Sequence, residues 1–218
     1  MGTRALMGRA AESTVVGVLQ HRLLLLRHGE TEWSKSGRHT SHTDLELTET
    51  GLERAKLAAE ALADLELVNP LVISSPMRRA LQTAQLAGLT VDEVTPLLQE
   101  WDYGDYEGLT TPEIRETVPD WLIWTHGAEG GESVAAVTQR ADGAVELALK
   151  HMVSRDVVFV GHAHFSRSVI ARWVELSVPN GIRFAMAPAS IAVLGFEHAI
   201  RQIIAQGLTG HRDPCKPR

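Results

Sequence analysis

Leu23-Leu24-Leu25-Leu26-Arg27-His28-Gly29-Glu30-Thr31 sets four leucines directly before an arginine, a histidine and a glycine. A short, bounded apolar run of this kind reads as a strand buried on both faces, as in parallel sheets. A second stretch, Val158-Phe159-Val160-Gly161-His162-Ala163-His164, ends the same way, in histidine. Open α/β sheets hold their ligands just beyond the carboxyl ends of such strands. A neutral imidazole beside a guanidinium suits an anionic phosphoryl group, because one attacks phosphorus while the other grips its oxygens in a fork. The two strand ends therefore point to phosphoryl transfer.

Outward from these strands the pattern alternates. Arg22–Arg27 is the first strand, followed by a polar loop from His28 to about Thr48. Thr50-Gly51-Leu52-Glu53 has the form of a capping box, and Leu52, Ala55, Ala59, Leu62 and Leu65 then recur at helical spacing. Asn69-Pro70 breaks the chain before a strand at Leu71–Ser74. Pro76 stands where a helix opens, and Met77–Ala87 carries it to Gly88. Val91–Leu98 reads as a third strand region, Glu100–Gly108 as a loop, and Thr111-Pro112-Glu113 and Pro119–Thr125 as short helices. Beyond the Gly127–Gly131 turn come a long helix, Glu132–Met152, a strand, Val157–Val160, and a helix, Phe165–Leu176. Ser190–Phe196 and Arg201–Gly207 end the fold as a strand pair. The alternation predicts an α/β fold, a three-layer α/β/α domain around a mainly parallel central sheet.

A length of 218 residues suits one substantial domain. It is expected at 21–210, between a disordered extension at 1–20 and a polar tail at 211–218. Arg4 and Arg9 lie in the extension, but Thr14–Leu19 is too short for a secretory core. The one cysteine, Cys215, leaves no intrachain disulfide and fits a reducing cytoplasm. The apolar runs fall well short of the roughly 18 residues a membrane helix needs. A net charge of −6 argues against nucleic acid as a partner. An anionic substrate must then be drawn by a local cationic cluster.

Arg27-His28-Gly29-Glu30-Thr31 resembles the signature of the histidine phosphatase superfamily, which includes the cofactor-dependent phosphoglycerate mutases. The resemblance extends along the chain. Ser74-Ser75-Pro76-Met77-Arg78-Arg79-Ala80-Leu81-Gln82-Thr83-Ala84 is similar to the family's second arginine segment and nominates Arg79, with Arg78 as a solvated neighbour. Glu100-Trp101-Asp102-Tyr103-Gly104 is similar to the family's acid loop and nominates Glu100, with Asp102 and Asp105 as weaker rivals. His162 stands for the second histidine. Two departures occur: Ser34 replaces the usual asparagine and Ala163 the usual glycine. A serine hydroxyl still donates, though it reaches less far, and the Ala163 N–H is kept.

The resemblance implies a phosphoglycerate mutase-like fold and a phosphohistidine mechanism. His28 would displace the alcohol of a phosphate monoester, its other ring nitrogen donating to a backbone carbonyl. Arg27, Arg79 and a protonated His162 would spread over the phosphoryl oxygens, with Ser34 and Ala163 beside them. Glu100 would protonate the leaving oxygen and later deprotonate water, which suggests an acidic optimum. Thr40, Ser41, Trp101, Tyr103 and His164 are expected to touch the rest of the substrate. The aromatic set Trp33, Trp101, Tyr103, Tyr106, Trp121 and Trp124 either lines the pocket or packs a cap over the sheet, and Arg167 faces the pocket or solvent.

The substrate expected is a small phosphate monoester, without cofactor, metal or membrane, and a homodimer is left open. A metal reading would use His162 and His164 with His39, His42 and Asp44, but Arg27 would oppose a cation. Thr111 falls where the mutases resembled here carry a lysine, and Trp121 and Trp124 stand where further cations belong. The phosphatase branch is thus favoured over a mutase. A regulatory protein that binds phosphate ligands without turnover is the reading from outside enzymology.

Overall fold

The computed structural model describes residues 21–210, so the extension expected at 1–20 and the tail at 211–218 lie outside the described residues. In chain order the regular elements are β1 (Leu23–Arg27), α1 (Glu32–Ser36), α2 (Glu49–Ala63), β2 (Leu71–Ser74), α3 (Arg78–Leu86), β3 (Glu93–Val94), α4 (Thr111–Arg115) and α5 (Ile123–His126). They continue with α6 (Val134–His151), β4 (Val157–Gly161), α7 (Ala163–Trp173), β5 (Ile191–Glu197) and β6 (Ile200–Leu208). The sheet order is β3-β2-β4-β1-β5-β6. β3, β2, β4 and β1 run parallel, while β5 and β6 add an antiparallel hairpin.

Alternation along each strand splits the interior in two. Leu23, Leu25, Ile73, Val157 and Phe159 face α6 and α7 in an aromatic-rich layer with Trp101, Tyr103, Trp121 and Trp124. Leu24, Leu26, Val72, Val158 and Val160 face α2 and α3 in a thinner layer built on Ala58, Ala80 and Ala84. The four leucines of β1 are at most 1% exposed, and each contributes about 1.5–3 kcal/mol relative to exposure. Small residues on α2 and α3 let those helices sit close to the sheet. That closeness brings the ends of β1, β2 and β4 under the helix starts.

Three expectations shift. The third strand shrinks to Glu93–Val94, because Thr95-Pro96 opens a 3-10 turn and proline offers no N–H to a ladder. α2 is capped by Thr48, whose Oγ1 accepts from Gly51 N at 3.0 Å, so Thr50 and Glu53 lie inside the helix rather than boxing its start. The loop after His28 contains α1, too short to show a period, opened by a box between Thr31 and Ser34. Strand levels decide the rest. Arg27 pairs with Gly161 and Ser74 with Val160, so His28, Ser75 and His162 emerge side by side.

Candidate active site

His28 is buried at the end of β1. Its Nδ1 lies 2.6 Å from Gly29 O. A carbonyl only accepts, so Nδ1 carries the proton and Nε2 keeps a bare lone pair. The His162 ring stands 5.2 Å away at 61°, edge to face. Arg79 Nε donates to His162 Nδ1 at 3.3 Å, so the proton of a neutral His162 sits on Nε2 and goes to Ser75 Oγ at 2.8 Å. Burial, then Arg27 and Arg79, hold the His28 pKa well below 6.5. Burial, Arg79 and His28 do the same to His162. Both imidazoles are thus biased to the neutral form in this fold, where the sequence reading expected a protonated His162 against the phosphoryl oxygens, since neither loses its hydration next to guanidinium groups without rejecting a proton.

Arg79 is fully buried, its Nη1 donating to Thr43 O at 2.9 Å and its Nη2 to Ser41 O at 3.0 Å. Arg78, by contrast, is exposed and paired with Glu46. Arg27 Nη1 donates to Met186 O at 2.6 Å, while its buried Nε has no acceptor among the described residues. A donor left in that condition is costly unless something anionic meets it. Burial lowers the pKa of both arginines, and Glu100 opposes that shift in each. Glu100 sits against the start of α7, where its Oε1 accepts from Trp101 N at 2.9 Å and Phe165 N at 2.7 Å. Its Oε2 accepts only from His164 N, at 3.0 Å. A carboxylate there meets the positive end of the helix.

Above these groups opens a cavity of about 150 Å³. Arg27, His28, Ser34, Thr40, Glu100, Tyr103, Ala163 and His164, all site candidates from the sequence, line it. Arg79 and His162 lie behind His28, in contact with each other. Trp101 and Ser41 are corrections. Trp101 is wholly buried, with its Nε1 donating to Glu132 O, and Ser41 donates to Glu107 while its carbonyl holds Arg79. Ser34 reaches the wall, but its hydroxyl proton goes to Thr31 O at 3.0 Å as part of the α1 box. Arg167 is tied to Gly181 O and Ile182 O, with its guanidinium 4.6 Å from the Trp124 ring.

Sequence reasoning missed Arg38 as a wall residue and treated His39 only as a metal ligand. Both line the cavity. The His39 ring lies 4.6 Å from Tyr103 and 6.0 Å from His164, and burial lowers its pKa to about 4. Tyr103 Oη and His164 Nδ1 are hydrogen-bonded. No local pattern marks this wall; an antiparallel bridge between Arg38 and Thr110 brings it together. The remaining atoms of the metal reading are engaged elsewhere. His42 pairs with Asp102, and Asp44 accepts from Arg78 N. Two larger hollows, of about 610 and 660 Å³, lie at the β5–β6 turn and beside α2, and neither contains a histidine or a pair of cations.

Comparison with known proteins agrees with this geometry. The model of the histidine phosphatase superfamily (branch 1) matches residues 23–208. An acid phosphatase of Mycobacterium tuberculosis is 65% identical over 199 residues, covering 91% of this chain and 98% of that one. A sedoheptulose 1,7-bisphosphatase of Saccharomyces cerevisiae is 33% identical over 189 residues, covering 73% of this chain and 70% of its own length. A solved structure of a Mycobacterium tuberculosis open reading frame product superposes with a TM-score of 0.87 at 66% identity, covering 88% of this chain and all of that one.

Proposed function

The chain belongs to the histidine phosphatase superfamily and is a phosphatase, and we propose that it cleaves phosphate monoesters through a phosphohistidine on His28. One observation carries the proposal: the bare Nε2 of His28 stands among the cavity-lining Arg27, the buried Arg79 and His162. In the first step Nε2 bonds to phosphorus and the ester P–O bond breaks. Glu100 delivers a proton to the departing oxygen from Oε2, the carboxyl oxygen with a single backbone donor. Water then attacks phosphorus, Glu100 takes a proton back, and the P–N bond breaks. The orphaned Arg27 Nε, Arg79 and the first N–H of α7 spread over the phosphoryl oxygens, where fixed donors do most of the work. Arrival of a dianion also favours a proton on His162.

Acid-favouring activity follows from the need for a proton on Glu100, and the nucleophile tolerates it. An ordinary imidazole protonates below pH 6.5, whereas His28 stays neutral well below that. The leaving group is one without a second anion. Arg38 is already shared between Gly108 O and Glu113, and burial keeps His39 and His164 neutral. Thr111 spends its hydroxyl on His39 Nε2 at 3.2 Å. With so small a cavity, most of the alcohol extends past it, which favours broad specificity. A single cysteine in the whole chain fits a reducing cytoplasm.

A panel of phosphomonoesters tests the reading. Phosphate release from p-nitrophenyl phosphate and neutral-alcohol esters should exceed that from 3-phosphoglycerate. Interconversion of phosphoglycerates stimulated by 2,3-bisphosphoglycerate would instead identify a mutase. Binding of phosphate without release from any ester would identify a regulatory protein.

A further inference from the structure

We infer that Thr83 is a positioning residue, holding the N–H of the glycine whose carbonyl aims His28. This rests on His28 as the nucleophile. Thr83 is fully buried on α3, one turn beyond Arg79. Its hydroxyl donates to Arg79 O at 2.6 Å, which fixes the rotor, and the oxygen then accepts from Gly29 N at 2.9 Å. The next carbonyl, Gly29 O, receives the Nδ1 proton of His28 at 2.6 Å. Three hydrogen bonds thus run in series from the arginine helix to the nucleophile.

Glycine is the residue least able to hold its own backbone in place. Gly29 is nonetheless required here, because a Cβ would come within 2.6 Å of Gly51 O at the start of α2. The carbonyl that selects the His28 tautomer therefore belongs to a residue with little intrinsic stiffness. Thr83 supplies the missing restraint from one side, while Gly51 closes the other. A hydroxyl that only back-bonds to its own helix would leave the Gly29 N–H without a partner. The Thr83 oxygen instead serves both elements, linking the distance between Arg79 and His28 to the direction of the Nε2 lone pair.

The test compares Thr83→Val, close in shape but unable to accept, with Thr83→Ser, which keeps the oxygen. Each is followed by p-nitrophenyl phosphate kinetics and by ¹⁵N NMR of the His28 ring, with His28→Ala as the control. Thr83→Val should lower kcat about 10- to 100-fold, the scale of a small misplacement of reacting groups, with KM nearly unchanged. The His28 ring should lose its pure Nδ1–H signature, and Thr83→Ser should restore both. If Thr83→Val does not fold, Thr83→Ala is read the same way. Full kcat in the valine variant, equal loss in both variants, or a fall in kcat with the Nδ1–H signature intact overturns the inference. Activity surviving in His28→Ala overturns the nucleophile assignment instead, so the two failures are distinguishable.

Discussion

The floor of the cavity and its wall are built on different principles. On the floor, His28, with His162 and Arg79 behind it, sits where strands end and the next helix opens, and backbone partners or one another hold each in place. Sheet register sets their positions. On the wall, His39, Tyr103 and His164 come from separate segments and meet through tilted and edge-to-face rings at 4.6 to 6.0 Å and side-chain hydrogen bonds. A floor set by register tolerates little displacement, whereas a wall of side-chain contacts between loops can yield. On the proposed function, chemistry is fixed below and selectivity is loose above.

Substitutions should separate the two regions by size of effect. His28→Ala should lower kcat by about 10⁴-fold or more, the scale of nucleophile removal. Activity within tenfold of wild type would dissolve the distinction at its root. Glu100→Gln comes next, at about 10²- to 10⁴-fold, and its cost should grow as the leaving alcohol becomes more basic. A cost independent of the leaving group would show that Glu100 only caps α7. His39→Ala, on the wall, should change KM by a few-fold, in keeping with the about 0.5–1.5 kcal/mol of an aromatic pair, and leave kcat for p-nitrophenyl phosphate nearly intact. A collapse of kcat there would move the wall into the chemistry.

Acidity sharpens the contrast further. His28, His39, His162 and His164 all have pKa values below the ordinary 6.5 in the fold. Below pH 6.5 the unfolded chain binds protons that the native one refuses, so stability falls as pH falls. The loss should continue toward about pH 4, where His39 itself titrates. The melting temperature should decline across that window, while inorganic phosphate, binding only the native floor, should raise it. A flat melting profile would mean that these imidazoles are not held neutral.

The floor was legible in the sequence because its signals are local. Apolar runs fix where β1 and β4 stop, and the next residue in each case is the histidine that matters. The alternation of strands and helices likewise gave the mainly parallel sheet with its closing hairpin. Protonation of His162 was not legible, because it depends on Arg79 meeting Nδ1 across the fold. Neither was the division of the aromatics: Trp101, Trp121 and Trp124 sink into the layer beneath α6 and α7, whereas Tyr103, in the same layer, also lines the cavity. All are aromatic residues in loops or a short helix, and tertiary packing alone sorts them. Arg38 and His39 carry no periodic signal, and a bridge to Thr110 brings them to the site.

The most direct test of the account is to quench the enzyme during turnover of ³²P-labelled substrate and map the label. An alkali-stable, acid-labile phosphoryl group on His28, absent from His28→Ala, is the expected result. Label on any other residue, or turnover with a single inversion at phosphorus and no phosphoenzyme, would contradict it.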